Sequence, residues 1–144
     1  MTTTIGVDLV RRYYEQALNP GRFHELDELL SDDFHDHEAL RGIPPTREGL
    51  EIKYTMLREG FPDFRFTVED LVPAGDRIGV RVKARGTHTG HFMGRPPTGM
   101  TFEVDSVGIF RVADQQIAEH WGVFDQFAML TQLGALMTPS SAIE

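Results

Sequence analysis

The sequence predicts an α+β fold in which a curved antiparallel sheet is closed by N-terminal helices into a cone-shaped barrel with an internal cavity. Before Gly60, apolar residues recur at three- and four-residue intervals, which is the spacing of helix faces. After Asp63 the apolar period changes to two, which is typical of strands. A helical pattern returns near the C-terminus. Helices segregated to one side of a sheet define the α+β class.

Three helices are predicted ahead of the sheet. The first covers Ile5–Leu18 and ends at the Asn-Pro-Gly segment 19–21, because proline and glycine stop helices. A short second helix is predicted over Arg22–Leu30, followed by an extended segment, Phe34–His37. The third helix follows Thr46, a good N-cap, and ends near residue 60.

Four strands are predicted in the second half of the chain. Alternating patterns at Phe64–Val68, Ile78–Ala84 and Thr101–Asp105 mark the first three, and the fourth contains His120. Turn residues at 75–76, 94–99 and 113–115 separate them, so neighbouring strands are expected to be antiparallel. A last helix is predicted from Asp125 to Leu136.

Composition limits the function. The 144 residues suit one domain, predicted over 3–137 with a frayed tail at 138–144. The chain has no cysteine, which removes a thiol nucleophile and a zinc–thiolate site, and no histidine spacing typical of metal sites, so we expect neither metal nor cofactor. A net charge of −8 argues against nucleic acid and anionic lipid. No signal peptide or membrane span is visible, so a cytoplasmic protein is expected.

Two sequence segments carry a resemblance to a known family. Residues 86–99 read G-T-H-T-G-H-F-M-G-R-P-P-T-G, and residues 117–121 read I-A-E-H-W. With Asp36-His37, Phe61-Pro62-Asp63 and residues 125–134 added, the chain resembles SnoaL-like polyketide cyclases from the first helix to Leu136. The resemblance implies an α+β barrel, a homodimer through the outer face of the sheet or a homotetramer, and chemistry on a small apolar polyketide-like substrate without cofactor.

The resemblance also implies a departure from the cyclase reaction. Cyclases of this family have an acid/base Asp two residues after the His that matches His120, and a His on the preceding strand; here the two positions are Gly122 and Gly108. We therefore favour a hydroxylase-like or otherwise diverged enzyme of anthracycline-like antibiotic biosynthesis, with a partner reductase among its expected partners. The alternatives are an aldol or ester cyclase that uses other residues and a non-catalytic carrier of a hydrophobic ligand.

Four residues are candidates for catalysis. His120 is expected on the face shared with Gly122, where a neutral imidazole could transfer a proton near pH 7; the alternative is a hydrogen-bonded structural histidine. His37 is a candidate polar group of the cavity. Asp105 interrupts an apolar strand. It is either a base inside the cavity or an outward carboxylate paired with Arg at a dimer interface. Asp125 either contacts the substrate or caps the last helix.

A second set of residues is predicted to contact the substrate. Aromatic and methionine side chains suit an aromatic guest, although such residues at helical spacing also build an ordinary core. Trp121 is either an aromatic wall of the cavity or part of the convex face. The predicted substrate-binding residues are Tyr14, Met56, Phe61, His88, Phe92 and Trp121.

Overall fold

The computed structural model describes residues 2–135 of the protein. Its first helix, α1, begins as a regular α-helix and continues through a wider π-helical segment. A short 3₁₀ turn leads into α2, α3 packs beside β1, and α4 is the last helix of the described chain. The predicted tail at 138–144 and the predicted helix end at Leu136 lie outside the described residues. The helical segments are α1 at Thr2–Arg12 with its π-helical extension Tyr13–Leu18, the 3₁₀ turn Phe23–Glu25, α2 at Leu26–Leu29, α3 at Arg47–Gly60 and α4 at Gln126–Gln132.

Five strands form one curved sheet in the order β1-β5-β4-β3-β2, which confirms the α+β class. The sheet is not closed by hydrogen bonds between its edge strands, β1 and β2. The four strands predicted from alternation, β2 to β5, are present and pair antiparallel with one another. The strands are β1 at Leu30–Asp36, β2 at Arg65–Ala74, β3 at Arg77–Thr87, β4 at Thr101–Ala113 and β5 at Gln116–Phe124.

The expectation of an all-antiparallel sheet is wrong at one edge. Strand β1 pairs parallel to β5, with Asp36 opposite His120. The predicted second helix is also shorter than expected, because Leu30 already has extended backbone angles and begins β1. Local periodicity cannot reveal this pairing. The chain that connects β1 to β5 contains the other three strands, and parallel strands need such a long connection.

The core lies between the helices and the inner face of the sheet. Along β4, Phe102, Val104 and Phe110 are buried, whereas Glu103, Val107 and Ile109 point outward and are exposed. The π-helical segment turns both Tyr13 and Tyr14 inward, and their rings contact Phe110 edge-on at centroid distances of 5.0 and 5.9 Å. Both phenols are therefore part of the core.

No helix within residues 2–135 is both long and apolar enough to span a bilayer.

Candidate active site

A cluster of charged side chains is buried where β1, β5 and α3 meet. Asp36 ends β1, His120 lies opposite it on β5, and Lys53 reaches in from α3; the three residues are only 3%, 4% and 6% exposed. The backbone holds the cluster from two sides, since His37 N donates to His120 O at 2.8 Å and Asp36 N donates to Pro45 O at 2.9 Å. Buried charges of this kind are retained only when they are paired.

Asp36 is the centre of this cluster. Its Oδ1 lies 3.1 Å from His120 Nδ1 and accepts from the backbone N of Glu38 at 3.0 Å, while its Oδ2 accepts from Lys53 Nζ at 3.3 Å. Burial acts to raise the pKa of Asp36, but the His120 hydrogen bond and the Lys53 charge outweigh burial and lower that pKa to about 2. Asp36 is therefore ionised at neutral pH.

Because Asp36 is ionised, it determines which ring nitrogen of His120 carries a proton. A carboxylate only accepts hydrogen bonds, so His120 Nδ1 must carry a proton and donate it to Asp36. The other ring nitrogen of His120 is Nε2. Within residues 4–135, whose side chains are described, no hydrogen-bond partner of Nε2 is found.

Glu38 is the second carboxylate of the site. Its side chain is 20% exposed, and its Oε1 lies 3.9 Å from His120 Nδ1. Burial raises the pKa of Glu38 above the ordinary value of 4.5, against the opposing charges of His120 and Lys53. A carboxyl group with a raised pKa suits proton transfer, because it exchanges a proton closer to neutral pH.

The two glycines that differ from the cyclase pattern face this cluster. Gly108 and Gly122 are directly opposite each other on β4 and β5. A Cβ atom built at Gly122 would lie 2.7 Å from Glu38 Oε1 and 3.0 Å from His120 Cε1, and one at Gly108 would lie 3.0 Å from His120 Nε2. A side chain at residue 122 would displace the Glu38 carboxylate, and one at residue 108 would also lie 2.7 Å from the backbone oxygen of Trp121. The carboxylate of Glu38, carried by the segment after β1, occupies the space that a residue-122 side chain would fill.

A cavity of about 410 Å³ adjoins the cluster. Its wall is mainly apolar, and its acidic and basic lining residues are Glu38, Lys53 and Arg95. His120 is not among the lining residues, and its Nδ1 lies 3.9 Å from Oε1 of the lining residue Glu38. The remaining lining residues are Leu40, Tyr54, Met56, Leu57, Phe64, Phe66, Phe92, Met93, Phe124, Gln126, Met129 and Leu130. The size and the apolar wall suit a small polycyclic molecule.

Of the four residues predicted to be catalytic, His120 alone lies in this buried cluster. His37 points to the opposite side of the sheet, where its Nε2 lies 2.8 Å from Glu119 Oε2 and its ring stacks on Trp121 at 4.7 Å. The cause is strand alternation, which sends Asp36 inward and His37 outward. The prediction of His37 as a cavity group is corrected accordingly.

Asp105 and Asp125 are also placed away from the cavity lining. Asp105 is 52% exposed on the outer face of β4, where Lys83 Nζ donates to it at 3.1 Å and Arg81 lies 3.8 Å away. It is the outward, cation-paired carboxylate rather than the cavity base. Asp125 is the N-cap of α4 and accepts from Ala128 N at 3.0 Å, so its helix-capping role accounts for its position.

The predicted substrate-binding residues divide into two groups. Met56 and Phe92 line the cavity. The other four do not line it. Tyr14 and Phe61 are core residues, and His88 is buried with its Nδ1 3.1 Å from Thr98 Oγ1. Trp121 lies on the convex face of the sheet, where Arg77 covers its ring at 4.8 Å.

Sequence reasoning missed Asp36, Glu38 and Lys53 as members of the site, although signals for them exist. Asp36 and Glu38 alternate with His35 and His37, so choosing the other face of this segment would have found both carboxylates. Lys53 lies three residues after Leu50 and four before Leu57, on the apolar face of α3. A lone charge on a buried helix face implies a buried partner.

No group of three or more potential metal ligands occurs among the described residues.

Comparison with known proteins identifies the family. Residues 8–133 match the family model of the SnoaL-like polyketide cyclases. Aklanonic acid methyl ester cyclase DnrD of Streptomyces peucetius is 28% identical over 131 residues, which cover 89% of this chain and 90% of that protein. Nogalonic acid methyl ester cyclase of Streptomyces nogalater is 27% identical over 120 residues, covering 82% of this chain and 90% of its own length.

Solved structures agree with this relationship. The structure of IdmH from Streptomyces antibioticus is 39% identical in sequence, with a TM-score of 0.79 over 89% of this chain and 97% of that chain. TsrD from Streptomyces laurentii has a TM-score of 0.82 at 27% identity, over 92% of this chain and 97% of that chain. The fold, the sequence segments and the extent of the match lead to one conclusion: this chain belongs to the SnoaL-like polyketide cyclase family.

Proposed function

We propose that this protein is a polyketide-tailoring enzyme that closes a ring by acid/base chemistry without a cofactor, with Glu38 as the proton-transfer group. One observation carries this proposal: Glu38 is a largely buried carboxylate with a raised pKa, and it lines an apolar cavity beside the Asp36–His120–Lys53 cluster. A carrier of hydrophobic ligands needs no such convergence of titratable groups. The enzyme is therefore the better interpretation.

The proposed reaction is an intramolecular aldol addition. The Glu38 carboxylate removes a proton from a carbon next to a carbonyl group, leaving an enolate whose negative charge Lys53 Nζ stabilises. The enolate carbon then forms a bond to a second carbonyl carbon of the same molecule. The resulting alkoxide takes the proton back from Glu38, so substrate and product are isomers and no co-reactant is consumed.

His120 and Asp36 act through Glu38 as positioning residues. Asp36 fixes the ring of His120, and His120 limits how far burial raises the pKa of Glu38. Burial in apolar surroundings makes Glu38 a stronger base than an exposed carboxylate.

Ring closure is preferred to hydroxylation because of the space around Gly122. The sequence-based preference for a hydroxylase rested on Gly108 and Gly122, which stand where the cyclases have a His and an Asp. Glu38 supplies a carboxylate to the space beside Gly122. Hydroxylation would also need oxygen and a source of electrons, such as the predicted partner reductase. Ring closure needs neither. The reductase, the homodimer and the homotetramer stay predictions.

The test uses aklanonic acid methyl ester and nogalonic acid methyl ester as substrates. The isosteric variant Glu38→Gln is expected to lower kcat by about 100-fold or more, which is the usual contribution of a general base. Glu119→Gln is the matched control, because Glu119 lies on the outer face, where it binds His37 and Arg111. Its kcat should equal that of the wild type.

Product mass and pH dependence complete this test. A product of unchanged mass indicates ring closure, whereas one heavier by an oxygen atom indicates hydroxylation and refutes the proposed reaction. The rising limb of the kcat/KM profile should lie above pH 4.5, the ordinary pKa of Glu, because burial raises that of Glu38. Unchanged kcat in folded Glu38→Gln would remove Glu38 from the mechanism.

A further inference from the structure

Lys53 and Tyr54 are the two buried side chains with a hydrogen-bond donor among the described residues that line the cavity. Both are 6% exposed, whereas Arg95 and Gln126, which also line the cavity, are open to solvent. Lys53 already donates to Asp36 Oδ2 at 3.3 Å, and that carboxylate balances its charge. The Tyr54 phenol is thus the neutral donor at the buried end of the cavity.

The ring of Tyr54 is held by packing on several sides. Its centroid lies 5.9 Å from that of Phe66, in an edge-to-face arrangement, and 6.3 Å from that of Phe64. The Lys53 ammonium lies over the ring, 5.1 Å from its centroid. Both phenylalanines also line the cavity. A phenol held in this way loses little further freedom when it binds a ligand, as a preorganised donor requires.

The surroundings of Tyr54 keep its phenol protonated. Burial and the charge of Glu38 raise the pKa of Tyr54 well above the ordinary value of 10. The phenol therefore keeps its proton at neutral pH, where the hydroxyl can donate a hydrogen bond to a ligand oxygen. In an apolar cavity such a hydrogen bond is stronger than in water.

The other two tyrosines of the chain are placed differently. Tyr13 and Tyr14 are as deeply buried as Tyr54, at 1% and 4% exposed, but neither is among the described residues that line the cavity. The Tyr13 hydroxyl is fully enclosed and has no hydrogen-bond partner within residues 4–135. Tyr14 packs edge-on against Phe66 at 5.0 Å. Tyr54 is therefore the tyrosine positioned to contact a ligand in this cavity.

The proposed ring closure develops negative charge on two different oxygen atoms. The enolate oxygen carries the charge first, and Lys53 stabilises it there. When the enolate carbon bonds to the second carbonyl carbon, an electron pair of that C=O bond moves to its oxygen, which becomes an alkoxide. A donor at this second oxygen lowers the barrier of the bond-forming step.

We infer that the Tyr54 hydroxyl donates a hydrogen bond to the carbonyl oxygen that the enolate attacks, which makes Tyr54 a catalytic residue of the bond-forming step. The inference rests on the proposed function, because it assumes that Lys53 holds the enolate oxygen. Tyr54 keeps its own proton throughout, and the alkoxide receives its proton from Glu38. The phenol thus polarises the carbonyl group and leaves the proton balance of the reaction unchanged.

The first test removes the Tyr54 hydroxyl and keeps the ring. With aklanonic acid methyl ester and nogalonic acid methyl ester, Tyr54→Phe should lower kcat by about 100-fold or more, the usual effect of losing one oxyanion donor. KM should change by less than about threefold. The pH at which kcat/KM rises should stay that of the wild type, because Glu38 sets it. A moved rising limb would overturn the inference, since Tyr54 would then act through Glu38.

Tyr14→Phe is the matched control, because it also removes a buried hydroxyl, at a position that does not line the cavity. Its kcat should equal that of the wild type. Wild-type kcat in folded Tyr54→Phe, or an equal loss in both variants, would overturn the inference.

The second test detects the hydrogen bond without turnover. The probe is 2-acetylanthracene labelled with carbon-13 at its carbonyl group, and difference infrared spectroscopy measures the carbonyl stretch of the bound probe. A hydrogen bond to the oxygen weakens the C=O bond, so the band should lie at higher wavenumber in Tyr54→Phe than in the wild type. In Tyr14→Phe it should stay at the wild-type position. An unmoved band in Tyr54→Phe, or no binding of the probe to the wild type, would overturn the inference.

The two tests separate this inference from the proposed function. Glu38→Gln should leave the carbonyl band at the wild-type position, because the probe needs only the cavity and its donor. Full turnover by Glu38→Gln together with a shifted band in Tyr54→Phe would refute the role of Glu38 alone. Loss of turnover in Glu38→Gln together with wild-type turnover in Tyr54→Phe would refute only the inference about Tyr54.

Discussion

The two sides of the β1–β5 strand pair carry the same kinds of side chain in very different surroundings. On the inner side, His120 and Asp36 are 3.1 Å apart and almost fully buried, with Lys53 as the cation. On the outer side, His37 and Glu119 are 2.8 Å apart and open to solvent, with Arg111 as the cation. The outer pair has the shorter distance.

The distance between the partners therefore does not decide which pair contributes more to stability. Water screens the outer pair and can replace each partner, so the interaction is worth at most about 1 kcal/mol. The inner pair has no water to replace a lost partner, and removing one member leaves a buried charge uncompensated. The His–carboxylate pair on the inner face is therefore needed for stability and for the site, whereas the pair on the outer face is a minor surface interaction.

The largest expected effect comes from Asp36→Ala. This change leaves the buried Lys53 ammonium without its carboxylate, so the free energy of unfolding should fall by about 3–5 kcal/mol in urea denaturation. Asp105→Ala is the matched control on the outer face, because Asp105 also binds a lysine, Lys83, but is 52% exposed. It should cost less than about 1 kcal/mol. Equal losses in the two variants would contradict the comparison.

The second prediction concerns pH. Asp36 has a pKa of about 2 in the folded protein against 3.8 as the ordinary value, so its ionised form stabilises the fold above pH 3.8. This contribution, about 2 kcal/mol, is lost as the pH falls through 2. Asp36→Asn should be less stable than the wild type at pH 6, and the difference should shrink toward pH 2. A constant difference in unfolding free energy across this range would refute the assigned pKa.

The third prediction tests the space shared by Glu38 and His120. In Gly122→Ala the new methyl group would lie 2.7 Å from Glu38 Oε1, so the carboxylate must move and kcat should fall about tenfold or more. Overpacking should also cost about 1–2 kcal/mol of stability. The control is Gly79→Ala on β3, whose Cβ would meet no atom closer than 3.6 Å. Wild-type kcat in Gly122→Ala would show that the position of Glu38 is not critical.

The smallest effect is expected for His37→Gln on the outer face. The variant loses the contact with Glu119 and the stacking on Trp121, and both are partly exposed. Unfolding free energy should change by less than about 1 kcal/mol, and kcat should not change. A large loss of activity would mean that the outer histidine, and not the inner cluster alone, takes part in the reaction.

Much of the fold was predictable because it depends on local patterns. Alternation along β5 placed His120 and Gly122 on one face, and the helix pattern found α1, α3 and α4. The parallel pairing of β1 with β5 was not predictable, because it joins segments more than 80 residues apart. That pairing decides which face of the segment at residues 35–38 is inside.

The sequence by itself determined the α+β class, the apolar interior and the family, since periodicity and the segments at 86–99 and 117–121 are properties of neighbouring residues. Only the tertiary structure decided the site. The parallel β1–β5 register turns Asp36 toward His120 and brings Glu38 into the space left by Gly122. Burial then gives these common side chains their unusual pKa values, and burial is a property of the whole fold rather than of any segment.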